Sequence, residues 1–163
     1  MILSGYNKLF NITLKKIKLI KKIDYKVDLK ETLGFIRKNF TEYEDCIFFT
    51  NKVKLQKNIW KEYNNRTQFE AFENHIHMSD FILNEHGLIL LDFGLAIAKV
   101  LSLKLNSVFP RYKFRIIISY DITNKFGNYN DCVIRFHKLR SGEKWLANNL
   151  EYYKEDAVGY FDV

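Results

Sequence analysis

Proline is almost missing from this chain. Pro110 is the only one in 163 residues, and glycine occurs seven times. A linker rich in proline, glycine or serine is thereby excluded and no internal repeat is visible, so residues 1–163 read as one domain of ordinary size. Cysteine is scarce as well. Cys46 and Cys132 are too few for a disulfide framework or a cysteine-based zinc site, and they read as two buried thiols in a reducing compartment. A membrane-spanning run is also lacking, because the most hydrophobic window, 88–103, is interrupted by Asp92 and Lys99 and is too short for a bilayer. The first residues, Met-Ile-Leu-Ser-Gly-Tyr-Asn, lack the basic start and apolar run of a secretion signal. The expected location is the cytoplasm, with no membrane partner.

Core-forming residues are abundant. The chain is 47% hydrophobic and 16% aromatic, a composition that excludes disorder. Net charge is +7, but unevenly placed: residues 1–66 hold 15 Lys/Arg against 7 Asp/Glu, whereas residues 67–163 hold 11 against 12. Thirteen of the 15 front cations are lysine, and Asn, Ile and Phe are frequent throughout. An AT-rich genome yields that bias without any nucleic-acid partner.

Residues 88–109 are apolar on nearly every side, as in a helix buried in a core, and Pro110 marks its end. From there Tyr112, Phe114, Ile116, Ile118 and Tyr120 alternate with polar positions. That period of two predicts a half-buried strand over 111–122, pairing antiparallel with a second over 131–139. Residues 157–163 predict a third strand. Between them, Ser141 as a cap and the spacing of Leu146, Leu150 and Tyr153 predict a helix. In the front half, residues 11–23 fit either a basic amphipathic helix or a strand. Asp28-Leu-Lys-Glu31 has the form of a capping box, opening a helix with Leu29, Leu33, Ile36 and Phe40 on its inner face. Residues 46–50 predict a short buried strand, and 53–63 a further helix. Thr67-Gln-Phe-Glu70 predicts a second capping box, with Phe69, Phe72 and Ile76 inward. The fold class that follows is α+β, with N-terminal helices and a long central helix packed on a small, mainly antiparallel sheet.

Two groups of residues carry possible chemistry. One is the polar face of the sheet, with Arg115, Ser119, Asp121, Arg135 and His137; Arg135 and Glu143 are expected to pair, with Trp145 beneath. The other is Asn74-His-Ile-His-Met-Ser-Asp80, where His75 and His77, with Asp80 or His86, are the residue types a zinc ion takes. No second His or Cys cluster accompanies them, so no metal and no cofactor is expected, and these side chains read as surface or partner-facing.

The back half, roughly residues 70–163, resembles immunity proteins of contact-dependent growth inhibition and, more broadly, of polymorphic toxins. The residues carrying the resemblance are Asn74-His-Ile-His77, Val108-Phe-Pro110, Phe114-Arg-Ile-Ile-Ile-Ser-Tyr-Asp121, Val133-Ile-Arg-Phe-His-Lys-Leu-Arg-Ser-Gly-Glu-Lys-Trp-Leu146 and Leu150-Glu-Tyr-Tyr-Lys154. It implies a cytoplasmic antidote that binds a cognate toxin domain and blocks its active site or substrate path, without catalysis of its own. The partner-binding candidates are Arg115, Asp121, Arg135, His137, His75, His77 and Asp80. By charge complementarity, a basic front half implies an acidic toxin surface, or a binding face in the near-neutral back half. Two rival readings stay open. Lys15, Lys16, Lys18, Lys21 and Lys22 could contact phosphates, or His137 with Arg135, Arg140 and Glu143 could form a small phosphodiester-cleaving set.

Overall fold

The computed structural model describes residues 3–19, 26–50, 59–82, 87–123 and 131–163. The fold is α+β. Its centre is helix α4 (Gly87–Val108), which has Leu90, Leu91, Ala98, Leu101 and Leu105 essentially sealed from solvent. Such a helix needs covering on several sides. The main cover is a five-stranded sheet of β1 (Gly5–Tyr6), β4 (Ile76–His77), β5 (Phe114–Asp121), β6 (Cys132–Lys138) and β7 (Asp156–Asp162). The order across the sheet is β1-β7-β5-β6-β4, and every pairing is antiparallel. The period-two pattern explains the inner face: Phe114, Ile116, Ile118 and Tyr120 join Cys132, Ile134, Phe136, Ala157 and Phe161 against α4. At Gly94 the helix comes so close to β6 that an added Cβ would lie 2.7 Å from the Cys132 Sγ. Only a residue without a side chain allows that approach.

Residues 11–19 resolve as part of helix α1 (Lys8–Leu19), whose Phe10, Thr13 and Ile17 turn inward while Lys8, Lys15, Lys16 and Lys18 face out. Lys21 and Lys22 lie outside the described residues. Helix α2 (Leu29–Arg37) begins as expected, with the Glu31 backbone N–H donating to Asp28 Oδ1 at 3.0 Å. Its orientation is reversed from expectation. Phe35 is the buried residue, edge-on to Phe49 and Phe81, while Leu29 and Leu33 are 70% and 46% exposed. Phe40 belongs instead to β2 (Phe40–Tyr43), which pairs with β3 (Cys46–Phe49) across the turn Glu44-Asp45. Of the segment expected as a helix over 53–63, residues 51–58 lie outside the described residues, and Ile59–Glu62 form one 3₁₀ turn.

Helix α3 (Arg66–Glu73) is capped two residues earlier than the sequence pattern places it. The Asn65 side chain accepts from the Gln68 N–H at 2.8 Å, and Thr67 is buried within the first turn. The outer edge of β3 is closed by α3 side chains in place of a strand. Glu70 Oε1 accepts from the Ile47 N–H at 2.6 Å, and Asn74 bonds the Phe49 N–H and the Ile47 carbonyl. Buried backbone groups need such partners.

The expected helix after β6 is absent. Residues 141–153 form an irregular strap with one 3₁₀ turn, Leu150–Tyr152, lying over the outer sheet face. Leu146, Ala147, Leu150 and Tyr153 pack on Ile117 and Val158 there. The stripe read as helical is therefore partly buried, but by an irregular route. No described helix is long and apolar enough to cross a membrane.

Candidate functional site

The register brings most of the partner-binding candidates onto one sheet face. Arg115 pairs across β5–β6 with His137 and across β5–β7 with Asp162, and Ile117 pairs with Arg135 and Tyr160. One step further, Ser119 pairs with Val133, and Val133 with His77 of β4. Side chains of paired residues share a face. The His75 ring stands edge-on to that of His77, with centroids 5.4 Å apart, so the histidine segment and the polar face form one continuous surface. Asp80 lies apart from it, exposed in a 3₁₀ turn after β4.

The strap divides this surface. Beneath it, Arg115 is 3% exposed; its Nε and Nη2 grip the Asp162 carboxylate, Nη1 donates to the Leu146 carbonyl at 3.2 Å, and its guanidinium stacks 3.8 Å from the Tyr160 ring centre. His137 is sealed in as well. Its Nδ1 donates to the Lys138 carbonyl at 3.1 Å, and Nε2 has no hydrogen-bond partner among the described residues. Burial, reinforced by the cations Arg115 and Arg140, pushes its pKa down to about 4, so the ring is neutral at pH 7. Neither residue presents a polar group to an incoming protein.

Arg140 is held inside too. Its Nη1 donates to the fully buried Glu70 at 2.7 Å, Nε to Asp45 Oδ2 at 3.1 Å, and Nη2 to the Asp45 carbonyl. Burial alone would lower the guanidinium's pKa, but bonding and charge from Glu70 outweigh it and push the pKa up. Lys138 Nζ also pairs with Asp45 and lies over the Tyr112 ring. The expected Arg135–Glu143 pair is not formed. Glu143 Oε2 instead accepts from the Thr67 N–H at 2.9 Å at the start of α3, where a negative charge is favoured, and Trp145 stacks near Arg115. Three of the four residues of the phosphodiester-cleaving set, His137, Arg140 and Glu143, are thus engaged in separate roles.

Beyond the strap the face is open. Arg135 and Asp121 are half-buried, and His77 Nδ1 stands 2.5 Å from Asp131 Oδ2. His75 Nδ1 lies against the Phe72 carbonyl, which can only accept, so that nitrogen carries the proton. Among the described residues, no group of three or more His, Cys, Asp or Glu is placed to hold a metal ion. His86 lies outside them.

The strap itself carries the feature that the sequence reading missed. Between it and α3 runs a groove of about 430 Å³, walled by Gln68, Lys144, Trp145, Asn148, Asn149 and Tyr152. Tyr152 is 77% exposed, an unusual position for a tyrosine ring. The strap is anchored at both ends. Trp145 Nε1 donates to the Arg140 carbonyl at 2.8 Å, and the buried Asn7 donates to the Tyr153 carbonyl at 2.9 Å. Its backbone turns through the left-handed region at Gly142 (φ 82°) and Ala147 (φ 54°). A left-handed alanine is strained by about 1–2 kcal/mol, and such strain tends to gather at functional sites. The sequence signals were there: Ser141-Gly142 and Asn148-Asn149 are turn formers, set among three aromatic side chains.

The chain belongs to the Uncharacterized protein PM0498 family, which it matches over residues 5–163. No curated protein and no solved structure matches it.

Proposed function

We propose that this member of the family is an immunity protein, which binds a cognate toxin domain of a contact-dependent growth inhibition or related polymorphic-toxin system and occludes it without turning anything over. The observation that carries the reading is the strap groove. It is an irregular loop held on a rigid sheet, which is where binding residues concentrate. Its walls are tyrosine, tryptophan and side-chain amides, with Tyr152 standing out into solvent. Tyrosine and tryptophan are the side chains that most often anchor protein interfaces. The open part of the polar sheet face, with Arg135, Asp121 and the two histidines, extends the same surface toward a footprint of roughly 1,200–2,000 Å² in total, the usual size of a specific complex. The resemblance of residues 70–163 to immunity proteins agrees with it.

The test is co-expression with the toxin domain encoded immediately upstream. Cells should survive only when this chain is present, and the two proteins should elute together in size-exclusion chromatography. Equal killing with and without it, and no complex, would end the immunity reading.

A second reading rests on a different observation. Lys8, Lys15, Lys16 and Lys18 all face outward from α1, so this helix offers a basic stripe to phosphates. Binding to a random duplex that survives physiological salt and is lost on charge reversal of these lysines would favour nucleic acid. Weak binding that vanishes at that salt would leave the protein partner as the better account.

A further inference from the structure

Three arginines meet the sheet, and they are not equivalent. Arg115 has a bidentate carboxylate, a carbonyl and an aromatic ring. Arg140 has two carboxylates and two carbonyls. Arg135 lies on β6 between them in sequence, half-buried on the outer face, and makes one hydrogen bond among the described residues. That bond runs from Nη1 to the Ser119 hydroxyl at 3.4 Å, longer than a good bond of this kind. Among the described residues no carboxylate lies within ion-pair distance of Arg135, whereas Arg115 has one and Arg140 two.

The neighbours explain why no described carboxylate takes its guanidinium fork in the free protein. Across the strand stands Ile117, 6% exposed, and next along the same face of β6 stands Val133. Burial lowers the pKa of Arg135, and Tyr153 and the more distant Asp156 carboxylate act in the opposite sense without bonding the guanidinium. A guanidinium offers five N–H donors in a planar fork that matches a carboxylate. Leaving that fork partly desolvated and unpaired disfavours the free protein, so the arrangement calls for a ligand that completes it. Tyr153, which couples to Arg135, also lines the strap groove, so the cation stands beside the surface already assigned to the partner.

We propose that Arg135 is the receptor for an acidic side chain of the partner protein, an Asp or Glu that enters beside Tyr153 and takes the guanidinium fork. The inference rests on the immunity reading and adds to it the chemistry of one contact. The net charge of +7, carried by residues 1–66, favours the long-range approach of an acidic partner, while residues 67–163 around Arg135 are near neutral and leave the guanidinium as the local cation.

The experiment compares wild type, Arg135→Met and Arg135→Lys for thermal stability and for affinity to the upstream toxin domain. Arg135→Met should melt at the wild-type temperature or higher, because it removes a partly desolvated charge that no described carboxylate bonds in the free protein. It should bind the toxin domain at least about 30-fold more weakly, the usual effect of truncating one partner of a desolvated ion pair. Arg135→Lys should fall between, since an ammonium keeps the charge but loses the fork. A clear drop in melting temperature for Arg135→Met would make the residue a structural cation and overturn the proposal, as would unchanged toxin affinity. Duplex binding that depends on Arg135 would overturn it in favour of phosphate. If wild type itself does not bind the toxin domain, the immunity reading falls, and the melting comparison still decides whether Arg135 is a structural cation.

Discussion

Arg115 and Asp162 stand opposite each other on neighbouring strands, and the guanidinium donates to both carboxylate oxygens at 2.7 and 2.8 Å. The cation is 3% exposed, and the same side chain ties down the strap through the Leu146 carbonyl. Arg115 is therefore a brace between sheet and strap. Arg115→Ala should destabilise the fold by about 2–3 kcal/mol, because it removes three hydrogen bonds and the packing on Tyr160 and frees the strap. Urea unfolding measures this. A variant of wild-type stability would return Arg115 to the list of surface anchors.

His137 makes stability depend on pH. Its pKa is about 4 in the folded chain against 6.5 for an ordinary histidine: burial lowers it most, Arg115 and Arg140 add to that, and the bond to the Lys138 carbonyl and the Asp162 charge oppose them. Between those two values the unfolded chain binds the extra proton and the folded chain does not. The stability is complete above pH 6.5 and is lost as pH falls toward 4, by about 3 kcal/mol in all. Wild type should lose roughly 2–3 kcal/mol more than His137→Gln between pH 7 and 4.5, and other acid-sensitive groups cancel in that comparison. Parallel losses in the two proteins would mean that His137 does not titrate as its surroundings require.

The two faces of α2 make opposite predictions. Phe35→Ala should cost about 3–5 kcal/mol, since it empties a site between Phe49 and Phe81. Leu33→Gln should stay within about 0.5 kcal/mol, as an exposed substitution does. Chemical denaturation of both variants decides this, and a large loss for Leu33→Gln would mean that something covers that face in solution.

That helix shows where sequence periodicity stops. Spacing identifies Leu29, Leu33 and Ile36 as one face, but only the neighbours decide whether that face or Phe35 turns inward. The strands β5 and β6 were legible because their inward apolar residues alternate with polar ones, which leaves a single consistent register. Helix α4 was legible because it is apolar all round. The strap was not. Leu146, Leu150 and Tyr153 have helical spacing and are largely covered, yet Gly142 and the left-handed Ala147 break any helix through them. Of the candidate site, Arg135, Asp121 and the histidines could be named from the alternation of β5 and β6 and the His-x-His string. Gln68, Asn148, Asn149 and Tyr152 could not, because their proximity depends on α3 and the strap meeting across a sheet. Glu143 went unrecognised as the cap of α3 because its partner is 76 residues away.

The turn Glu44-Asp45 holds two non-glycine residues at positive φ, 48° and 67°, as a two-residue hairpin demands. Asp45 is fixed there by Arg140 and Lys138, and despite the opposing effect of burial their bonds lower its pKa. Glu44 occupies the position where glycine would sit without strain. Glu44→Gly should therefore raise stability by about 1 kcal/mol, seen as a higher urea midpoint at unchanged slope. No gain would mean that the glutamate's own contacts offset the strain of its backbone.

Trp145 and Tyr152 line the same groove but should respond to substitution in opposite ways. Trp145 is tied in: its indole N–H bonds the Arg140 carbonyl, and its ring lies 5.4 Å from the Arg115 guanidinium. Trp145→Ala should lower the melting temperature and weaken toxin binding together, which identifies no contact. Tyr152 is 77% exposed and packs little of its ring on its own chain. Tyr152→Ala should leave the melting temperature within a degree or so of wild type while costing at least about 2 kcal/mol of toxin affinity, the signature of an interface anchor. Calorimetric titration of the toxin domain against both variants, with melting curves alongside, separates the two effects. An affinity unchanged by Tyr152→Ala, in a wild-type complex that does form, would move the binding surface off the strap and onto another part of the molecule.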